Sequence, residues 1–262
     1  MTRNEYIQQW KNTLAAIERK YVKPVVLALR VQMDGVVADL RAGGVEYARR
    51  RLSSLQFDGP MSQAIQTMHR EVGLMLAMRT QRQLRKTPLK AKATTEDFIA
   101  FLTEFFRLYN LDMVSKISDT TRDHIISIME QGTQHGWSID EMTQRINNKD
   151  YLSFRAARIV RTESVRAANY GVQVAAEQYE YETVKEWVAI RDDRTRHTHR
   201  TLNGMERELD EPFKDFLRFP GDPDADPAET VNCRCTMIIK AKRDSNGRLI
   251  PKINAIRLGQ VA

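Results

Sequence analysis

The sequence has only two cysteines in 262 residues, Cys233 and Cys235, and they stand two positions apart. A disulfide framework joining distant segments is therefore excluded, and an extended i, i+2 pair sits at the edge of the separation that a disulfide allows. The chain also lacks any uninterrupted apolar run of about 18 residues, the length a helix needs to cross a bilayer. It opens Met1-Thr2-Arg3-Asn4-Glu5 without the apolar core of a secretory signal. These absences predict a protein made and kept in a cytosol-like, reducing compartment, with no membrane partner and with thiols that are either reduced or metal-bound. No internal repeat is visible, which sets aside a solenoid.

What is present suffices for a core. The chain is 42% hydrophobic and 29% charged, at a length where two domains become common. Its 41 Lys+Arg against 34 Asp+Glu give a formal charge of +7, a balance that favours polyanionic partners such as nucleic acid without being extreme.

The first half reads as helices. Ile7, Trp10, Leu14, Ile17 and Tyr21 recur at spacings of three and four, Pro24 interrupts, and Val26, Leu29, Met33, Val36 and Leu40 resume the rhythm up to Gly43-Gly44. These two stripes offer more apolar length than a small helical domain readily hides, so they are expected to form an assembly surface. A third stripe runs through Met61, Ile65, Met68, Val72 and Leu76, followed by Arg79, Arg82, Arg85, Lys86, Lys90 and Lys92 with no intervening acid. That run is either a solvated helix face or a surface that tracks phosphates. Thr87-Pro88 breaks it, and Thr94 or Thr95 caps a helix carrying Phe98, Phe101, Phe105 and Tyr109. Ser138-Ile139-Asp140-Glu141 has the pattern of a capping box, and Asn147-Asn148-Lys149-Asp150 reads as a loop.

From Phe154 to about Glu180 a helix carries a stripe of small residues, Ala157, Val160, Ser164, Ala167, Gly171 and Ala175. Arg155, Arg158 and Arg166 lie to one side of it and read as a solvated face that would also tolerate nearby phosphates. The period then shifts toward two across Val184 to Ile190, Asn203-Gly204 signals a tight turn, and Phe219-Pro220-Gly221-Asp222-Pro223-Asp224 is a loop before a last strand at Cys233 to Ala241.

Four features of the second half follow in a fixed order: Arg161-Thr162-Glu163 in a helix; Trp187 on a strand; Asp192-Asp193-Arg194-Thr195-Arg196 with His199 and Gly204; and Phe219-Pro220-Gly221-Asp222-Pro223 leading to Asn232-Cys233-Arg234-Cys235. In this order, over residues from about 150 to 240, the chain resembles the C-terminal domain of the phage Mu protein F-like, or head morphogenesis, family of minor head proteins. The resemblance implies a structural component of the virion, located in the head interior or at the portal vertex and passing through the host cytoplasm during assembly. It implies as partners the portal protein, packaged double-stranded DNA and capsid or scaffolding protein, and a role in head assembly or DNA ejection.

The residues also support readings of their own. Cys233 and Cys235 on one face of a strand, with His199 from the preceding loop, are candidate ligands of a zinc ion; His197 and Asp192 compete for the remaining positions, and two buried inert thiols are the alternative. Arg161, Glu163, Asp192, Arg194, His199, Cys233 and Cys235 are expected to converge as a structural cluster that cross-links a loop-rich module. The competing reading makes His199, Glu163 and Arg194 the centre of a toxin-type nuclease or transferase. The expected class is α+β: a helical portal- or capsid-facing domain, residues 1–150, followed by a small α+β module, residues 151–262, with a short antiparallel sheet.

Overall fold

The computed structural model describes residues 2–52, 58–85 and 95–253. Its elements run α1 (Arg3–Leu52), α2 (Asp58–Leu84), α3 (Thr95–His135), α4 (Ile139–Ile146), α5 (Lys149–Glu177), β1 (Thr183–Val188), α6 (His197–Leu202), β2 (Glu206–Glu208), α7 (Pro227–Thr230) and β3 (Thr236–Ala241). The strands form one sheet in the order β2-β1-β3, antiparallel throughout. The class is α+β, as expected from the sequence.

Local signals in the helical half hold with some corrections. Pro24 does not interrupt the first helix but lies inside α1, and the backbone departs from helical geometry at Gly44, whose φ of 74° is open to a residue without a Cβ. Ser138 and Glu141 form the capping box at the start of α4, each satisfying the other's backbone amide. The expected loop at 147–150 shrinks to two residues, because Asn148 Oδ1 accepts the Tyr151 amide at 2.9 Å and Lys149 and Asp150 already belong to α5. In α3 the buried stripe is Phe98, Leu102 and Phe106. Phe105 and Tyr109 are only half-buried, and the side chain of Phe101 lies outside the described residues.

The apolar stripes of α1 are core. Trp10, Leu14, Ile17, Tyr21, Leu29, Met33, Val36 and Leu40 are all buried, and Ile7 and Val26 are half-buried. The expectation that they form an external assembly surface is therefore corrected: the chain covers them itself. In that stretch the large apolar side chains left open are Leu27 and Val31, 51% and 58% exposed.

The chain divides into two compact units, one of residues 1–17, 68–106 and 161–262, the other of residues 18–67 and 107–160. Residue 150 lies within the second. In the first unit the opening turns of α1 are fastened to the sheet and its flanks: Tyr6 donates to Met237 O at 2.9 Å and the Trp10 indole to Arg234 O at 2.8 Å, while Arg3 pairs with Glu186 and reaches Asn203 Oδ1 at 2.8 Å. Within the same unit α2 and α5 approach so closely that a Cβ on Gly171 would stand 2.2 Å from the Gly73 carbonyl oxygen. Gly171 of the small-residue stripe makes this backbone contact, and Ser164, Ala167 and Ala175 of the same stripe are buried.

The second unit is helical. Arg155, read from the sequence as solvated, is buried there, its Nη2 donating to Ile117 O at 2.8 Å and to Thr121 Oγ1 at 3.1 Å. His124 stacks on Tyr151 with ring centroids 3.8 Å apart.

Candidate functional site: a buried thiol and imidazole centre

The first unit's polar residues are organised by the short stretch that precedes β3. The expected strand from Cys233 begins only at Thr236. Before it, Asn232 takes a left-handed φ of 61°. Its amide donates to Thr162 Oγ1 at 2.8 Å, and its Oδ1 accepts from Arg161 at 2.7 Å. Asparagine tolerates this conformation better than most residues. From this turn both thiols reach the same imidazole. His199 belongs not to a loop, as the sequence suggested, but to the short helix α6.

His199 Nδ1 lies 3.6 Å from Cys233 Sγ and 3.4 Å from Cys235 Sγ. All three residues are 2% exposed, and their donor atoms lie within 4.8 Å of one another. The Cys235 amide donates to Cys233 Sγ at 3.4 Å. On the far side of the ring, His199 Nε2 stands 3.1 Å from Glu229 Oε2, close enough to interact though off the hydrogen-bond axis. Glu229 is itself held by Lys214 and Thr198, each at 2.9 Å. Trp187 meets the imidazole edge-on, ring centroids 5.2 Å apart. The hydrogen bond with Cys235 and the neighbouring His199 hold the Cys233 thiol below the ordinary thiol range against the effect of burial. The same bond, together with burial, pushes Cys235 up.

Two further polar centres flank this one. Arg234, between the cysteines, grips Asp192 with both terminal nitrogens at 2.5 and 2.6 Å. That grip, with Thr195 and the Arg194 amide assisting, holds the Asp192 carboxyl at about 2. On α5, Glu163 is 1% exposed and accepts from Arg166 Nη1 at 2.7 and 2.8 Å and from His69 Nε2 at 2.9 Å. Burial alone would raise the Glu163 carboxyl; Arg166 and His69 outweigh it and lower it. Arg166, 3% exposed and not on a solvated face, also donates from Nε to Gly221 O at 3.0 Å.

The seven residues expected in one cluster are thus distributed. His199, Cys233 and Cys235 come together. Asp192 turns to Arg234 and Arg161 to Asn232. Glu163 turns to His69 and Arg166. Arg194 contributes its backbone amide to Asp192 while its side chain is exposed. Of the basic run, Arg79 is half-buried and Arg82 and Arg85 are exposed; Lys86, Lys90 and Lys92 lie outside the described residues.

Several partners escaped the sequence reading. His69 is 94 positions from Glu163 and carries no local signal. Arg166 sits at i+3 from Glu163 on one helix, a spacing that could have paired them. Glu229 and Asn169 were also missed, the latter bridging Pro220 O and Cys235 O at 3.1 and 3.3 Å. So was Lys185, fully buried on β1, where desolvation pushes its amine down to about 8.

Comparison with known proteins places this geometry in context. The sequence model described as Phage Mu protein F like protein matches residues 123–238. Among curated proteins, the chain is 32% identical over 133 residues to the NAD(+)--arginine ADP-ribosyltransferase EFV of Enterococcus faecalis, over 47% of this chain and 26% of that protein. It is also 32% identical over 123 residues to Minor head protein GP7 of Bacillus phage SPP1, over 44% of this chain and 40% of that protein. The chain therefore spans less than half the length of either relative. No solved structure matches it significantly. The match begins upstream of the motifs read from the sequence, within α3, and ends within β3, so that it takes in the thiol and imidazole centre and the Asp192–Arg234 and Glu163–Arg166 pairs: residues 123–238 match the Phage Mu protein F like family.

Proposed function

We propose that the chain is a phage head protein, a minor component that acts in assembly and not by turnover. The observation that carries this reading is the family match over residues 123–238, joined by the likeness to a minor head protein. The chemistry of the first unit agrees with it. Glu163, Asp192 and Arg161 are each engaged in internal hydrogen bonds that fasten one segment to another, a use of polar groups that rigidifies a module.

On this reading the protein resides in the head interior or at the portal vertex, with portal protein, packaged double-stranded DNA and capsid or scaffolding protein as its partners, and it influences head assembly or DNA ejection. The exposed Arg82 and Arg85 at the end of α2 are the described part of the surface that would approach DNA phosphates, by counterion release and without reading sequence. Mass spectrometry of purified heads, with reconstruction of the portal vertex, tests the proposal. Heads that lack the chain at every assembly stage would overturn it.

The second reading, arginine-directed ADP-ribosyl transfer, is favoured by the name of one relative. Its sequence-derived centre of His199, Glu163 and Arg194 is not supported by the contacts these side chains make, since Glu163 is sealed between Arg166 and His69. Transfer of ADP-ribose from NAD to an arginine acceptor by the purified chain would make it the better reading.

A further inference from the structure

Three donors of metal-binding type converge on one buried point. A zinc ion bonds thiolate at about 2.3 Å and imidazole nitrogen at about 2.0–2.1 Å, so tetrahedral angles separate a sulfur ligand from a nitrogen ligand by about 3.6 Å. The observed separations from His199 Nδ1 are 3.6 Å to Cys233 and 3.4 Å to Cys235. Among the described residues no other group of three His, Cys, Asp or Glu side chains has this arrangement.

We infer that His199 Nδ1 and the thiolates of Cys233 and Cys235 hold one zinc(II) ion, with a water molecule as fourth ligand. Soft sulfur donors with one imidazole suit zinc among the common divalent ions. Both thiol protons leave to solvent on binding, and two thiolates with one divalent cation form a neutral unit, which lowers the cost of burying the charges. The surrounding groups fit. Glu229 Oε2 lies 3.1 Å from Nε2, the ring nitrogen left free of the metal when Nδ1 binds it. The Cys235 amide donates to Cys233 Sγ at 3.4 Å. The competing possibilities within the sequence are removed by geometry: Asp192 is engaged by Arg234, and His197 does not join the group. The ion would tie α6 to the turn before β3, closing a loop of more than thirty residues between His199 and Cys233. The inference is independent of the head reading.

The test uses the full chain, expressed with zinc and kept reduced. We expect about one zinc per chain by elemental analysis, a lower melting temperature after chelation that zinc restores, and, on replacement by cobalt(II), an intense thiolate-to-cobalt charge-transfer band. His199→Gln and Cys235→Ser should each reduce zinc content at least tenfold. Should these variants fail to fold, the wild-type zinc count and cobalt spectrum decide. Less than a tenth of an equivalent bound after zinc titration of the reduced chain, or cobalt binding without thiolate bands, overturns the assignment.

Discussion

Replacing Glu163 by alanine should destabilise the protein far more than a surface change, and the structure gives the size. The carboxylate is 1% exposed and is the common acceptor for Arg166 and His69, themselves 3% and 0% exposed. Removing it leaves a buried guanidinium with its Gly221 carbonyl as a remaining partner, and breaking a buried pair from one side costs about 3–5 kcal/mol. At about 2 °C per kcal/mol for a chain of this length, the melting temperature should fall by roughly 6–10 °C. Glu163→Gln keeps the shape and one acceptor, and should lose about half as much. The pH dependence has a definite sign. The folded carboxyl titrates below its unfolded value of about 4.3, so its contribution is complete above that pH and is lost as pH falls through the lower folded value. Calorimetric melting of the wild type and both variants from neutral to acid pH measures this. An alanine variant melting within 1 °C of wild type, or a wild-type advantage over Glu163→Gln that grows on acidification, would refute the reasoning.

Deleting residues 2–17 should unfold the unit that contains the sheet, because Tyr6 and Trp10 bond to the segment from 234 to 237; Trp10→Ala alone should cost about 3–5 kcal/mol in urea titration. Gly171→Ala should destabilise by about 1–3 kcal/mol, its methyl group overlapping the Gly73 carbonyl, whereas Gly35→Ala, open on a helix surface, should stabilise by about 0.5–1 kcal/mol. If the chain binds DNA through α2, changing Arg82 and Arg85 to glutamate should weaken all duplexes alike and reduce the salt dependence by at least two charges' worth, read from binding isotherms at several salt concentrations.

The sequence by itself determined what is local or ordered along the chain. Three- and four-residue spacing marked the helices, because side chains that recur once per turn share a face, and the capping box at Ser138 and Glu141 was legible because both partners lie within one turn. The order of Arg161-Thr162-Glu163, Trp187, the His199 region and Cys233-Arg234-Cys235 carried the family resemblance without any knowledge of their contacts. Periodicity identified the buried faces of α1 but not what buries them, so a core stripe was read as an assembly surface. Pairings across long separations belonged to the tertiary structure alone: His69 with Glu163, Trp10 with Arg234, and Gly171 against Gly73. The centre at His199 was legible only in part: the sequence named His199, Cys233 and Cys235 as candidate ligands of one ion, but not the backbone geometry that joins them. A strand would have aimed both thiols through simple alternation, but the left-handed turn at Asn232, fixed by Thr162 and Arg161 on α5, brings them to an imidazole more than thirty residues away. Helix formation is governed by neighbours a turn apart, whereas these contacts exist only when distant segments have already packed, and that packing decides which polar groups meet.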